Sequence, residues 1–319
     1  MHWKRRLLSL PHRRKIALVL GGGGAKSFSQ IGVLKVLEEL KIPLNLIIGC
    51  SMGAVIGALF SLGKSVKEIE EEILNCCELK EVKEVEKKFS REGKGIKKVG
   101  DYLRELSLYF AELTREGVWE EKDLKNGLKL LIPENKSFEE TSLNFSCIAV
   151  DLLSGKRIIF NKGPILDGVV ASCAIPGVFS PVKIGNKLLA DGGILSKIPV
   201  MAAVYLGSDF IISILPGTLP EFNYKRALDI LVRMHEIRDW ELSRLEAGMS
   251  DFLFLPSVDQ WRWFSFSSAR EIIKEGEIEG RKKVGNLLKI LKKPNKELYW
   301  KRLSFLSSFP YEENSLLDN

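Results

Sequence analysis

Ile47-Ile-Gly-Cys-Ser-Met-Gly-Ala-Val-Ile-Gly-Ala-Leu-Phe60 is the stretch on which the reading of this chain turns. Leu44 to Ile48 is an apolar run of strand length. Gly49 to Gly53 is a turn bounded by glycines. Ala54 to Leu62 is a run of small and apolar residues with Gly57 at its centre. The pattern predicts a buried strand, a sharp turn and a helix. Gly49-Cys50-Ser51-Met52-Gly53 fits Gly-x-Ser-x-Gly, and its setting matters more than the string. Between a strand and a helix, such a serine sits on a strained elbow with its hydroxyl presented outward. Small residues at 49 and 53 keep neighbouring backbone from colliding. The helix beginning at Met52 turns its first N–H groups toward developing negative charge. A glycine-lined turn with an ordinary serine helix cap is the plainer alternative for the same five residues.

Upstream, Lys15-Ile-Ala-Leu-Val-Leu20 reads as another buried strand, and it runs into Gly21-Gly-Gly-Gly-Ala-Lys26. Residues 27–40 follow with helical spacing at Ile31, Leu34, Leu37 and Leu40. The glycine loop fails as a phosphate loop, because position 25 is Ala and Leu20 holds the place of the first glycine. It also fails as a dinucleotide fingerprint, which would put glycine at Ser27 or Lys26. The remaining use is an oxyanion hole, with the N–H groups of Gly22, Gly23 and Gly24 aimed at an acyl oxygen. Lys26 would support the loop or meet a phosphate as a point charge.

A serine nucleophile needs a base. The only histidine after Ser51 is His235, inside a long amphipathic run, while His2 and His12 lie in a basic N-terminal arm. A histidine-free arrangement is therefore considered. Asp191 is the best candidate base, since it ends the apolar run Lys187 to Ala190 and precedes Gly192-Gly193. Active sites of α/β proteins collect at such strand ends. A turn aspartate is the alternative.

The rest of the chain sets the frame. With 319 residues, 45% hydrophobic and 28% charged, it is neither disordered nor a disulfide scaffold. The formal net charge of +7 favours anionic partners. The five cysteines form no Cys-x-x-Cys pair, and with three scattered histidines they give no metal-ligand cluster. No apolar run is long enough to span a membrane. Residues 65 to about 135 are rich in Lys and Glu and read as a helical insertion. Residues 223–247 read as a long helix with Leu228, Leu231, Met234, Ile237 and Leu245 facing inward, and residues 268–292 as a closing helix. The expected organisation is a basic arm at 1–14, a catalytic domain at 15–292 and a polar C-terminal tail at 293–319.

Four ordered blocks carry a resemblance: GGGGAKSFSQIGVLKVLEEL (21–40), IIGCSMGAVIGALF (47–60), ASCAIPGVFSPV (171–182) and DGGILSKIPV (191–200). With them the chain resembles the bacterial branch of the patatin-like phospholipases, the group that includes neuropathy-target-esterase-like hydrolases. The likeness runs from about Lys15 to Gly280. It implies a three-layer α/β/α patatin-like fold with a mainly parallel central sheet. It implies a Ser–Asp dyad of Ser51 and Asp191 without a catalytic histidine, and the oxyanion hole at Gly22 to Gly24. Lys26 stands where the family usually has Arg, Ser27 where it usually has Gly, and Gln30 where many bacterial members have His.

The expected activity is hydrolysis of fatty-acyl lipid esters, of the phospholipase A or lysophospholipase type, with no cofactor and no metal. A lipid- or acyl-binding regulatory protein without turnover is the rival reading, and a nucleotide binder ranks third. Expected partners are a lipid ester and, transiently, a membrane surface, with no nucleic acid. The expected location is cytoplasmic, with contact at the inner face of the membrane. Trp3, Leu7 and Leu10 among the basic residues of the arm suggest a short amphipathic anchor. Trp261-Arg-Trp-Phe264 with Phe266 reads as an interfacial belt or acyl-chain wall, or as core packing.

Overall fold

The computed structural model describes residues 14–91, 119–219, 227–292, 296–306, 309 and 311–315. The proposed anchor residues Trp3, Leu7 and Leu10, and residues 92–118 of the insertion, lie outside them. The described strands are β1 (Ile16–Leu20), β2 (Leu46–Gly49), β3 (Asn144–Asp151), β4 (Arg157–Lys162), β5 (Val182–Ile184), β6 (Lys187–Asp191), β7 (Phe210–Ile214), β8 (Phe252–Phe254) and β9 (Tyr311–Ser315). They form one nine-stranded mixed sheet.

Its centre is parallel: β1 pairs with β2 and β7, β2 with β3, and β7 with β8. Every residue of β1 is buried, as a parallel strand covered on both faces requires. Alternate side chains go to opposite faces. Ile16, Leu18 and Leu20 join one core, with Phe28, Leu34, Val55, Val169 and Ile273. Ala17 and Val19 join the other, with Ile198, Met201, Ala247 and Met249. Helices Ser29–Glu39, Met52–Ser61, Ile165–Cys173 and Ala269–Ile290 supply residues to the first face, and Val200–Tyr205 and Ala227–Ala247 to the second. The result is three layers.

One detail of the register positions the site. On β3, Cys147 pairs with both Gly49 and Phe160, and Ala149 with both Ile158 and Asp191. A strand residue has one partner on each edge. The hairpin strand β4 therefore takes one edge of β3, while β2 and β6 share the other edge end to end. β2 runs parallel to β3 and β6 antiparallel. Their C-terminal residues, Gly49 and Asp191, thus approach each other across the place opposite Ile148.

Two expectations need correction. The long helix is Ala227–Ala247, but Met234, Ile237 and Leu245 are exposed, at 61%, 46% and 54%. The side chains of Leu228 and Leu231 lie outside the described residues. The helix buries a narrow stripe near its end instead, Ser243, Glu246 and Ala247, held partly by hydrogen bonds rather than by apolar packing alone. The polar C-terminal tail is also structured. It contains helix Lys296–Leu306 and strand β9, which pairs with β4. Arg302 is buried and donates to the Met249 carbonyl and to Asp251, so a charged residue docks the segment alongside Leu298, Leu306, Phe309 and Tyr311, which pack against the second core.

Candidate active site

Ser51 follows β2 and caps helix Met52–Ser61. Its φ is +54° and its ψ −128°, a conformation that costs a non-glycine residue of order 1–3 kcal/mol. The flanks make it obligatory. A Cβ on Gly49 would collide with the Ala54 backbone, and one on Gly53 with the carbonyls of Leu20 and Gly21. The elbow therefore needs both glycines, as the sequence pattern requires. Ser51 N–H donates to Ser172 Oγ at 3.0 Å, and Ser172 is fully buried. Nothing in the residue type singles out Ser172; only its place in the 171–182 block hinted at it.

Asp191 is buried, and its backbone N–H donates to the Ala174 carbonyl at 2.9 Å. Its Oδ1 accepts from Gly193 N–H at 2.7 Å and from the Cys50 thiol at 3.6 Å. Ser51 lies near enough to the same carboxyl to act on its pKa. Burial pushes Asp191 up to about 6, and the neighbouring Ser51, Gly193 N–H and Cys50 thiol hold it back from rising further. Asp239 nearby raises it. Cys50 is itself fully buried, and burial beside Asp191 keeps its thiol protonated, hence a donor. No feature of the sequence pattern marked Cys50 as a partner of the carboxylate.

The glycine loop lies against the elbow: a Cβ on Gly22 would stand 3.3 Å from Ser51 Cβ. Gly23 has φ +158° and Gly24 φ +57°. A side chain on Gly24 would strike the Trp263 carbonyl. Gly22 N–H donates to the Lys197 carbonyl at 2.8 Å. That corrects the expectation for Gly22, whose donor is already engaged. Ala25 N–H donates to Trp263 O at 2.6 Å. Among the described residues, no acceptor meets the N–H of Gly23, Gly24 or Met52. These three are unengaged donors of the glycine loop and the elbow.

The loop is held from below by residues at two of the positions noted as departures. Ser27 Oγ and Gln30 Nε2 both donate to the Gly21 carbonyl. Lys26 Nζ stands 3.8 Å from Asp259 Oδ1, and burial lowers its pKa. Asp259 also accepts from the N–H and hydroxyl of Thr218, so Lys26 is tied to the loop after β7. His235 is exposed, and its Nδ1 faces Arg238 Nη2 at 3.0 Å. Trp261 and Phe266 pack against the core, and Phe266 meets Phe28 with ring centroids 6.1 Å apart. Among the described residues, no helix is long and apolar enough to cross a membrane.

Comparison with known proteins places the chain in a family. The family model of the patatin-like phospholipases matches residues 18–204. An uncharacterized NTE family protein of Mycobacterium tuberculosis is 28% identical over 200 residues, 63% of this chain and 48% of that protein. Lysophospholipase NTE1 of Phaeosphaeria nodorum is 28% identical over 211 residues, 65% of this chain and 12% of that protein. The chain therefore spans about half the length of the mycobacterial relative and about an eighth of the fungal one. VipD from Legionella pneumophila superposes with a TM-score of 0.43 at 16% identity, over 85% of this chain and 66% of that one. With more than half of its length matched by the family model, the chain belongs to the patatin-like phospholipase family.

Proposed function

We propose that this chain is a serine acyl hydrolase that cleaves fatty-acyl esters of lipids through Ser51 and Asp191. The observation that carries the reading is the strained Ser51 on its elbow beside the strand end that holds Asp191, a buried carboxyl whose pKa is raised to about 6. A base of ordinary aspartate strength is weak; one near 6 is ionised at neutral pH and accepts a proton more readily. Asp191 takes the Ser51 proton as Oγ attacks the ester carbonyl carbon. The carbonyl oxygen becomes an oxyanion, which the N–H groups of Gly23, Gly24 and Met52 receive. Collapse of the tetrahedral adduct breaks the ester bond, and protonated Asp191 returns the proton to the leaving alcohol. Asp191 then deprotonates a water that attacks the acyl-enzyme, and a second collapse frees the fatty acid and restores Ser51.

The family name and the lysophospholipase relative support a lipid ester as substrate. Contact with a membrane surface would be transient and peripheral, on the cytoplasmic side. Fluorophosphonate labelling of wild type, Ser51→Ala and Asp191→Asn tests the reading, alongside fatty-acid release from a panel of phospholipid, lysophospholipid and neutral esters. Capture and release by wild type alone are expected. Lipid binding without covalent capture would favour the regulatory alternative.

A further inference from the structure

One end of helix Ile165–Cys173 holds the backbones of both Ser51 and Asp191. Ser172, in its last turn, accepts the Ser51 N–H on its Oγ at 3.0 Å. Ala174, which closes the helix, accepts the Asp191 N–H on its carbonyl at 2.9 Å. Ser51 follows β2 and Asp191 ends β6, and among the described residues no backbone hydrogen bond joins those two strands. The spacing of the two residues is therefore set by what they share, which is β3 and this helix end.

The helix end is a firm reference. Ala171, Ser172 and Ala174 are buried. Gly168, one turn before Ser172, lets the helix sit close on the sheet: a Cβ there would come within 2.9 Å of the Phe138 ring and 3.0 Å of Phe160 Cβ. Packing at that density leaves the helix no room to slide. The bond to Ser51 has no substitute among the described residues. Ser51 stands before helix Met52–Ser61, so its N–H lies outside the ladder of that helix, and Ser172 Oγ is the acceptor it meets. A buried N–H left without an acceptor is costly, and turning the peptide relieves the cost. At a residue held at φ +54°, turning the peptide carries Oγ with it.

We propose that Ser172 is a positioning residue for the nucleophile: its hydroxyl oxygen, together with the Ala174 carbonyl, fixes the reach between Ser51 and Asp191 by holding both backbones from one rigid helix end. This rests on the reading of Ser51 and Asp191 as the groups that cleave an ester. Ser172 acts through the Ser51 backbone and takes no part in proton transfer. By engaging the Ser51 N–H it also leaves the oxyanion to Gly23, Gly24 and Met52.

The test compares Ser172→Ala and Ser172→Cys with Ser213→Ala in the full chain. Cysteine keeps nearly the volume of serine, but its sulfur accepts weakly. Ser213 is also fully buried, and its hydroxyl bonds Ser250 Oγ at 2.6 Å, so its loss is a matched one outside the site. On a soluble ester, Ser172→Ala should lower both kcat and the rate of fluorophosphonate labelling about tenfold, with KM held within about twofold. Ser172→Cys should lose about threefold or more, and it carries the comparison if the alanine variant does not fold. Ser213→Ala should stay within about twofold. Hydrogen exchange read at the Ser51 amide reports the bond without turnover, and it should run about tenfold faster in Ser172→Ala and unchanged in Ser213→Ala. Wild-type kcat in either Ser172 variant, an equal loss in Ser213→Ala, or unchanged exchange at Ser51 overturns the positioning role. Wild type that neither labels nor turns over ester, with the difference in exchange intact, would overturn the hydrolase reading and leave Ser172 as the residue that holds the elbow.

Discussion

Asp191 and Glu246 are both buried carboxyls, and they stand on either side of the short helix Gly193–Ser196. Burial pushes the first up to about 6 and the second to about 7. By protonation alone Glu246 is the better base. Its surroundings decide otherwise. Glu246 Oε1 accepts from Ser196 Oγ at 2.6 Å, and Oε2 from Met201 N–H at 3.2 Å, so both oxygens serve the fold. Asp191 has its structural donors, Gly193 N–H and the Cys50 thiol, on Oδ1 alone, and the serine that also acts on its pKa is held in a strained conformation. A raised carboxyl marks burial. A raised carboxyl next to a strained serine, with unengaged N–H donors on the adjoining loop, marks a candidate for catalysis.

The contrast is broken or sharpened most strongly by removing each carboxylate. Asp191→Asn should lower kcat by about 10³-fold or more, as should Ser51→Ala, whereas Glu246→Gln should hold kcat within a few-fold. Equal losses in the two carboxyl variants, measured on a soluble ester, would erase the distinction. Next in size is the loop. Gly24→Ala forces a side chain onto the Trp263 carbonyl at a positive φ and disturbs a proposed oxyanion donor. A drop of about 10²-fold in kcat is expected, with less change in KM.

Stability should reverse the ranking. Both carboxyls hold their proton more tightly in the folded chain than in the unfolded one. Their contribution is therefore most favourable below about pH 4 and is lost as pH rises to about 6 for Asp191 and about 7 for Glu246. At pH 8 either amide variant should gain roughly 1–3 kcal/mol in urea unfolding, because each removes a buried charge. A loss of stability in both at pH 8 would contradict the burial argument. The smallest effect concerns the acid limb of kcat/KM, expected near pH 6 in wild type. Cys50→Ala removes a donor to Asp191 and should move that limb upward by about half a pH unit, while Glu246→Gln should leave it in place.

Much of the site was legible in order of residues. Gly49 and Gly53 around Ser51 announced the elbow, and the backbone collisions at both positions give the reason. The scarcity of histidine pointed to a carboxylate base, and Asp191 stood at a strand end. Other partners had no local signature. Ser172 and Cys50 are ordinary small residues until the fold brings a backbone N–H and a carboxylate to them. Gly22 looked like a donor equal to its neighbours, yet the Lys197 carbonyl, 175 residues away in the chain, engages it. Helical spacing in 223–247 pointed Met234, Ile237 and Leu245 inward, but periodicity says only that residues share a face, not which neighbour covers it.

The sequence by itself determined the central strands β1 and β2, the glycine turns and the elbow, because those follow from local sterics and from the apolar runs of buried strands. Only the tertiary structure decided that β6 runs antiparallel along the edge of β3 already used by β2, which brings Asp191 to Ser51 from the opposite direction. Strand direction and edge are set by pairing between distant segments, and no pattern within a single segment encodes its partner.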